Sequence, residues 1–163
     1  KAIGLELSKA DKDQLIAEAL EVENPYRGRA IYRQQELLCA SCHKINGSGG
    51  LIGPDLSTVG SYMTPNSILE SILNPNADIK QGYETVQLTR TNGEIVSGLL
   101  HRKTNNSTLI RQTNNEIIEI PAEEIAKLDV SSVSLMPPGL TQGLHRDELK
   151  DLIAYLINLG VDR

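Results

Sequence analysis

Apolar positions along the chain fall into two textures. In the first, Leu15, Ile16, Ala19 and Leu20 recur at helical spacing behind Ser8, a cap residue, with Asp11 at the third helical position. This predicts a helix that "ENPYRG" ends. A second helix is expected from about Tyr26 to Leu38, running directly into "CASCH". Periodicity is then lost between Lys44 and Thr64, where "INGSGGLIGPDLSTVGSYMT" reads as a long Gly-, Ser- and Pro-rich loop. Long ordered loops in compact domains usually carry function. Thr64 caps the next helix, Pro65 takes its first position, and Asn74-Pro75 stops it after "NSILESIL".

The second texture is short, β-branched and partly alternating: "YETVQLTRT", "NGEIVSGLLHR", "STLIRQT" and "EIIEI". The links are Asn92-Gly93, the "KTNN" stretch from Lys103 and Asn114-Asn115. Asn-Gly between two such runs is a strong hairpin signal. The pattern predicts an antiparallel meander of four or five strands from Tyr83 to about Val130, with "PAEEIAKL" adding a helical turn and a last strand. A Pro/Gly loop around Met136 leads to a final helix, Arg146 to Leu159. Its stripe is Leu149, Leu152, Ile153, Leu156 and Ile157, and Gly160 is its stop. The expected fold is mainly α with an inserted small antiparallel β-meander, α+β overall. Residues 1–24 form a lead-in helix or linker, and 25–163 form the main domain with 82–130 as the insertion.

Length and composition change this picture in two places. The 163 residues suit one domain able to bury its own core. Yet there are five Tyr, no Phe and no Trp. A core without large aromatics rests on Leu, Ile and Val, or on a large bound group, and so points weakly to a planar cofactor. The net charge of −5 comes with no basic run, which argues against nucleic acid. No apolar stretch reaches bilayer length. "KAIGLELSKADKD" lacks the apolar core of a signal peptide, so the chain reads as a mature form or a piece cut from something larger.

Both cysteines fall in "CASCH", as Cys39 and Cys42, with His43 directly after the second. Two cysteines make no disulfide framework; the pair could be a redox dithiol, half a zinc site or a haem attachment point. C-x-x-C-H favours the last. Each thiol adds to a vinyl group of the porphyrin edge, two intervening residues let one turn of chain reach both vinyls, and the adjacent imidazole swings under the ring to the iron. Zinc wants four ligands, and no second cluster offers the rest. A thioredoxin-like dithiol wants a βαβ context, which is missing.

A six-coordinate haem needs a second axial ligand, for which Met63, Met136, His101 and His145 are the candidates. Met63 lies 20 residues after His43 in a loop expected to wrap the proximal side and reads as a gap filler. His101 reads as a surface imidazole and His145 as a solvated helix start. Met136, framed by Pro and Gly, is held stiffly and can aim its sulfur, so it is the expected ligand.

With these motifs in view, the chain resembles a class I cytochrome c. "GRAIYRQQELLCASCH" is similar to the N-terminal helix and haem site, with Gly28 and Tyr32 in the places of the helix-crossing glycine and aromatic residue. "GPDL", "LMPPG" and "DLIAYL" are similar to the proline loop, the methionine loop and the C-terminal helix. The resemblance implies that the Pro54 carbonyl receives the ring N–H of His43. Two departures stand out. The stretch from Gly28 to Cys39 is longer than in small cytochromes c, so an extra turn or bulge is expected there. The 93 residues from His43 to Met136 leave room for the β-meander. This combination, with "SILNPNADIKQGYE" and "SLMPPGL", resembles a narrower family, the haem-binding domain of the Pirellula/Verrucomicrobium type.

The resemblance implies one covalently bound haem c with iron, His/Met ligation and single-electron transfer rather than enzymatic turnover. It also implies a redox partner protein or fused dehydrogenase domain, and a periplasmic or otherwise extracytoplasmic location. The insert is expected to be a structural cover, with shielding the haem, positioning Met136, and docking or homodimer formation as its other uses. Tyr62 and Tyr83 are expected to pack in the core rather than to reach a propionate. Competing readings are a gas sensor with a labile methionine, a peroxidase-like enzyme and a non-haem metal or dithiol protein.

Overall fold

A computed structural model describes residues 7–161. The first six residues of the expected lead-in and the last two of the main domain lie outside the described residues. Helix α1 spans Lys9–Leu20; the Ser8 side chain accepts from Asp11 N–H while the Asp11 carboxylate accepts from Ser8 N–H, a complete capping box. Leu15, Ile16 and Ala19 are buried, whereas Leu20, expected on the same face, is 42% exposed.

The expected helix from Tyr26 to Leu38 is instead broken. A 3₁₀ turn at Pro25–Arg27 leads into α2 (Gly28–Tyr32), a second 3₁₀ turn covers Gln35–Leu37, and Leu38 takes the left-handed conformation at φ 57°. Polar residues explain the break. Arg33, Gln34, Gln35 and Glu36 fill a whole turn after Ile31 and Tyr32, so no apolar stripe continues, and all four are exposed. Leu37 is buried only because the chain turns there. The extra turn expected before the cysteines is therefore present.

Helix α3 is the four-residue turn Cys39–Cys42. A small hairpin follows, β1 (Lys44–Ile45) and β2 (Ser48–Gly49), then α4 (Val59–Tyr62) and α5 (Pro65–Leu73). Thr64 caps α5 by accepting from Ser67 N–H. The last helix, α6, is Arg146–Ile157.

Between α5 and α6 lie five antiparallel strands: β3 (Thr85–Arg90), β4 (Ile95–Lys103), β5 (Ser107–Arg111), β6 (Ile117–Pro121) and β7 (Ile125–Ser131). Their order, β6-β5-β4-β3-β7, is not that of a simple meander, because the last strand returns beside the first. A 3₁₀ turn at Ala122–Glu124 joins β6 to β7, the two opposite edges. Four residue steps reach about 14 Å at most, while four strand spacings across a flat sheet need about 19 Å. The sheet must curl to bring its edges together, and the curl encloses Val86, Leu88, Val96, Ile110 and Ile120 as a core of their own.

The helices share a second core, in which α6 is central: Leu149, Leu152, Ile153 and Ala154 are each 0–1% exposed. Gly28 permits the crossing of α2 on α6, since a Cβ there would lie 2.0 Å from the Asp151 carbonyl oxygen. The rings of Tyr32 and Tyr155 meet at the same crossing, 6.0 Å apart at 56°. Both tyrosines are buried, so the aromatic-poor core still uses them where the two helices meet.

Arg146 of α6 pairs with Glu18 of α1, a charge-assisted bond that holds the Glu18 carboxyl below its ordinary value of 4.5. A carboxyl lowered in the folded state contributes stability above its unfolded pKa and loses it as pH falls through the folded value. Unfolding midpoints of the wild type are therefore expected to drop more steeply below about pH 4.5 than those of Glu18→Gln. Parallel curves from denaturant titrations at pH 7 and pH 3 would show that the pair adds nothing.

Candidate functional site

Carbonyl groups set the shape of the cysteine loop. A four-residue helix leaves its last carbonyls without intrahelical partners, yet each of the six from Leu38 to His43 has a donor. Cys42 N–H (3.1 Å) and Ser41 Oγ (2.8 Å) reach Leu38 O, and His43 N–H reaches Cys39 O at 2.8 Å. Gly50 N–H donates to Ala40 O at 3.0 Å, and Gly53 N–H to Cys42 O at 2.7 Å. The Tyr32 hydroxyl donates to His43 O at 2.8 Å. Ser41 O accepts from the Asn115 amide, 2.9 Å away, at the β5–β6 turn. The Tyr32 and Asn115 contacts were not legible in the sequence.

His43 leaves this loop with its Nδ1 2.8 Å from the Pro54 carbonyl oxygen. A carbonyl only accepts, so Nδ1 carries the proton and Nε2 keeps its lone pair free. Burial holds His43 below its ordinary pKa, an effect that outweighs the opposite pull of the Pro54 bond. The imidazole is thus neutral and suited to bind a metal. Asp55 stiffens the loop beyond Pro54 by accepting from Ser57 N–H at 2.8 Å and pairing with Lys44 at 3.5 Å. Gly53 backs the imidazole so closely that a Cβ would sit 2.3 Å from its Cε1; this role was not assigned from the sequence.

His43, Cys39 and Met136 line one cavity. Tyr32, Val59 and Ile68 add to its wall, and α6 closes it with Leu152 and Leu156. The structure therefore brings Met136 onto the same cavity as His43 across 93 residues of chain. Met63 lines it as well and packs against the helical core, as a gap-filling methionine does. Among the other histidines, His101 is exposed on β4 and His145 caps α6 in a capping box with Glu148. Neither lines the cavity. Tyr62 does not pack in the core as expected: it is 54% exposed, with Lys80 Nζ 5.5 Å from its ring centroid. Tyr83 is half-buried.

Cys39 and Cys42 are in no disulfide and are half-buried. Ahead of thioether formation, burial pushes the Cys39 thiol up to about 11. Among the described residues no group of three or more His, Cys, Asp or Glu is placed to hold a metal ion.

The donor set fits haem. Two thiols one helical turn apart, a neutral imidazole with a fixed tautomer and a mostly apolar cavity beside them are what a covalently held porphyrin requires. Among the described residues no helix is long and apolar enough to cross a membrane. No curated protein matches the chain. Residues 26–94, which hold Cys39, Cys42, His43 and Pro54, match the family model described as cytochrome c; this part of the chain is similar to that haem-binding, electron-transferring family, and its cofactor is haem c, bound covalently and carrying iron.

Proposed function

We propose that the chain is a monohaem electron carrier, not an enzyme, with His43 and Met136 as axial ligands of the iron. The observation that carries this reading is the shared cavity: His43, its ring held by Pro54, and Met136 both line it together with Cys39. The haem supplies a one-electron Fe(III)/Fe(II) couple. Cys39 and Cys42 hold the ring by thioether bonds. His43 donates Nδ1–H to Pro54, which fixes the imidazole and makes Nε2 a stronger donor. Met136 presents a soft thioether that favours Fe(II) and raises the potential. The apolar wall from α6 acts in the same direction, because it disfavours the extra charge of the oxidised state.

The sheet between α5 and α6 is, in this reading, an insertion of the kind found in the Pirellula/Verrucomicrobium-type domain. Its place in the chain supports this, because β7 ends five residues before Met136. Attachment of haem c outside the cytoplasm argues for a periplasmic or otherwise extracytoplasmic site of action. The partner is a redox protein or a dehydrogenase domain fused to this one.

Oxidised and reduced absorption spectra, with and without carbon monoxide, test the assignment. The wild type is expected to be low-spin, to keep a methionine–iron charge-transfer band and to ignore carbon monoxide. Met136→Ala is expected to lose the band and bind the gas. A wild type that binds carbon monoxide readily would favour a sensor with a labile methionine. Protein made with a working haem-attachment system that still carries no covalent haem would overturn the whole reading.

A further inference from the structure

Asn115 sits at the turn between β5 and β6 with φ 68°, a left-handed conformation that asparagine tolerates. The turn closes without its side chain, through Asn115 N–H to Gln112 O at 2.9 Å. The side chain instead leaves the sheet and bridges two backbone segments of the cysteine loop. Its Nδ2 donates to Ser41 O at 2.9 Å, and its Oδ1 accepts from Leu51 N–H at 2.7 Å. The two partners fix the orientation of the amide, since one can only accept and the other only donate. Arg111 holds the turn from behind by donating to the Asn115 carbonyl at 2.9 Å.

The two segments it joins matter. Ser41 lies between the two cysteines, so fixing its carbonyl fixes the end of the turn that spaces Cys39 from Cys42. Leu51 opens the run to Gly53 and Pro54, which hold the His43 ring. Of the six carbonyls from Leu38 to His43, five are met from residues 32–53 and Ser41's is met from the sheet. At its other end the sheet meets the run that leads to Met136: Thr85 Oγ1 of β3 donates to Val133 O at 2.6 Å, while Asn76, from the link between α5 and β3, accepts at Oδ1 from Ser134 N–H at 2.8 Å.

We propose that Asn115 is a positioning residue for the haem: by tying the sheet to the backbone at Ser41 and Leu51, it holds the turn that spaces the two cysteines and the run that leads to Pro54 in one register, and so holds the potential up. This rests on the haem reading above. The test is Asn115→Gly, which keeps the left-handed turn and removes both bonds, beside Asn114→Gly. The Asn114 side chain bonds only within the turn, to Glu116 N–H at 3.0 Å and the Glu116 carboxylate at 2.7 Å.

Asn115→Gly is expected to speed hydrogen exchange at the Leu51 amide by about tenfold or more. It is also expected to lower the midpoint potential by the equivalent of about a tenfold change in the Fe(II)/Fe(III) ratio, about 59 mV for one electron. Asn114→Gly should leave both readings in place, and exchange at Ile110 should stay slow in either variant. A haem-loaded Asn115→Gly protein with an unchanged potential overturns the proposal, as does an equal shift in the two variants. Absence of covalent haem would instead sink the electron-carrier reading, while exchange at Leu51 still reports the bridge itself.

Discussion

Gly53→Val is expected to displace the His43 imidazole and convert the iron site from low-spin to largely high-spin. A Cβ at position 53 falls 2.3 Å from Cε1, 2.5 Å from Nδ1 and 2.8 Å from Nε2 of His43, three atoms of one rigid ring. The ring can retreat only by giving up its 2.8 Å bond to Pro54 O. That bond fixes the tautomer, so its loss changes both where Nε2 lies and how strongly it donates. Overpacking of this kind costs about 1–3 kcal/mol in stability, and valine stands at the upper end. Absorption spectra of the ferric protein and guanidinium unfolding read the two effects. Retention of a low-spin spectrum by Gly53→Val would mean that the imidazole has another stable seat.

Leu152→Ala is expected to have the largest effect on stability. Leu152 is 1% exposed, lies in the middle of α6 and faces both the helical core and the cavity. Truncating a buried leucine removes its transfer free energy and leaves a void, together about 2–5 kcal/mol. The void adjoins the cavity, so the haem-loaded variant is also expected to bind carbon monoxide, which the wild type ignores. Leu149→Ala separates the two consequences: Leu149 is 0% exposed and does not line the cavity. It should lose comparable stability with no change in gas access. A loss below about 1 kcal/mol for Leu152→Ala would show that α6 collapses onto the space.

The parts of this fold that were legible in the sequence are those settled within a few residues. Ser8 with Asp11, and Thr64 with Pro65, mark helix starts by short-range chemistry, and both helices begin where those signals stand. Asn92-Gly93 and Asn114-Asn115 mark turns for the same reason, with Gly93 and Asn115 at positive φ. The failures are non-local. Nothing near Ile125 says that its strand will pair with β3 instead of ending a meander; the short link across the curled sheet decides that. The break after Tyr32 was obscured because Arg33 to Glu36 are good helix formers by propensity, and the want of an apolar face on that turn overrode them. Within the site, C-x-x-C-H and "GPDL" announced Cys39, Cys42, His43 and Pro54 as a group. Asn115 reaches Ser41 across 74 residues, a pairing that no local pattern encodes.

The pairing of Thr85 with Ser131 across β3 and β7 bears on the order in which the chain can fold. Packing α6 onto α2 and α5 closes a loop that runs from residue 74 to residue 145. Closure entropy rises with the logarithm of loop length. A sheet that has already folded on its own core brings its two ends together and removes its 45 or so interior residues from that loop. The loop left to close is then roughly threefold shorter, which lowers the entropic barrier to docking α6 by about 0.9 kcal/mol. A chain that forms the sheet first therefore assembles its helical body as though the 92 residues between His43 and Met136 were far fewer.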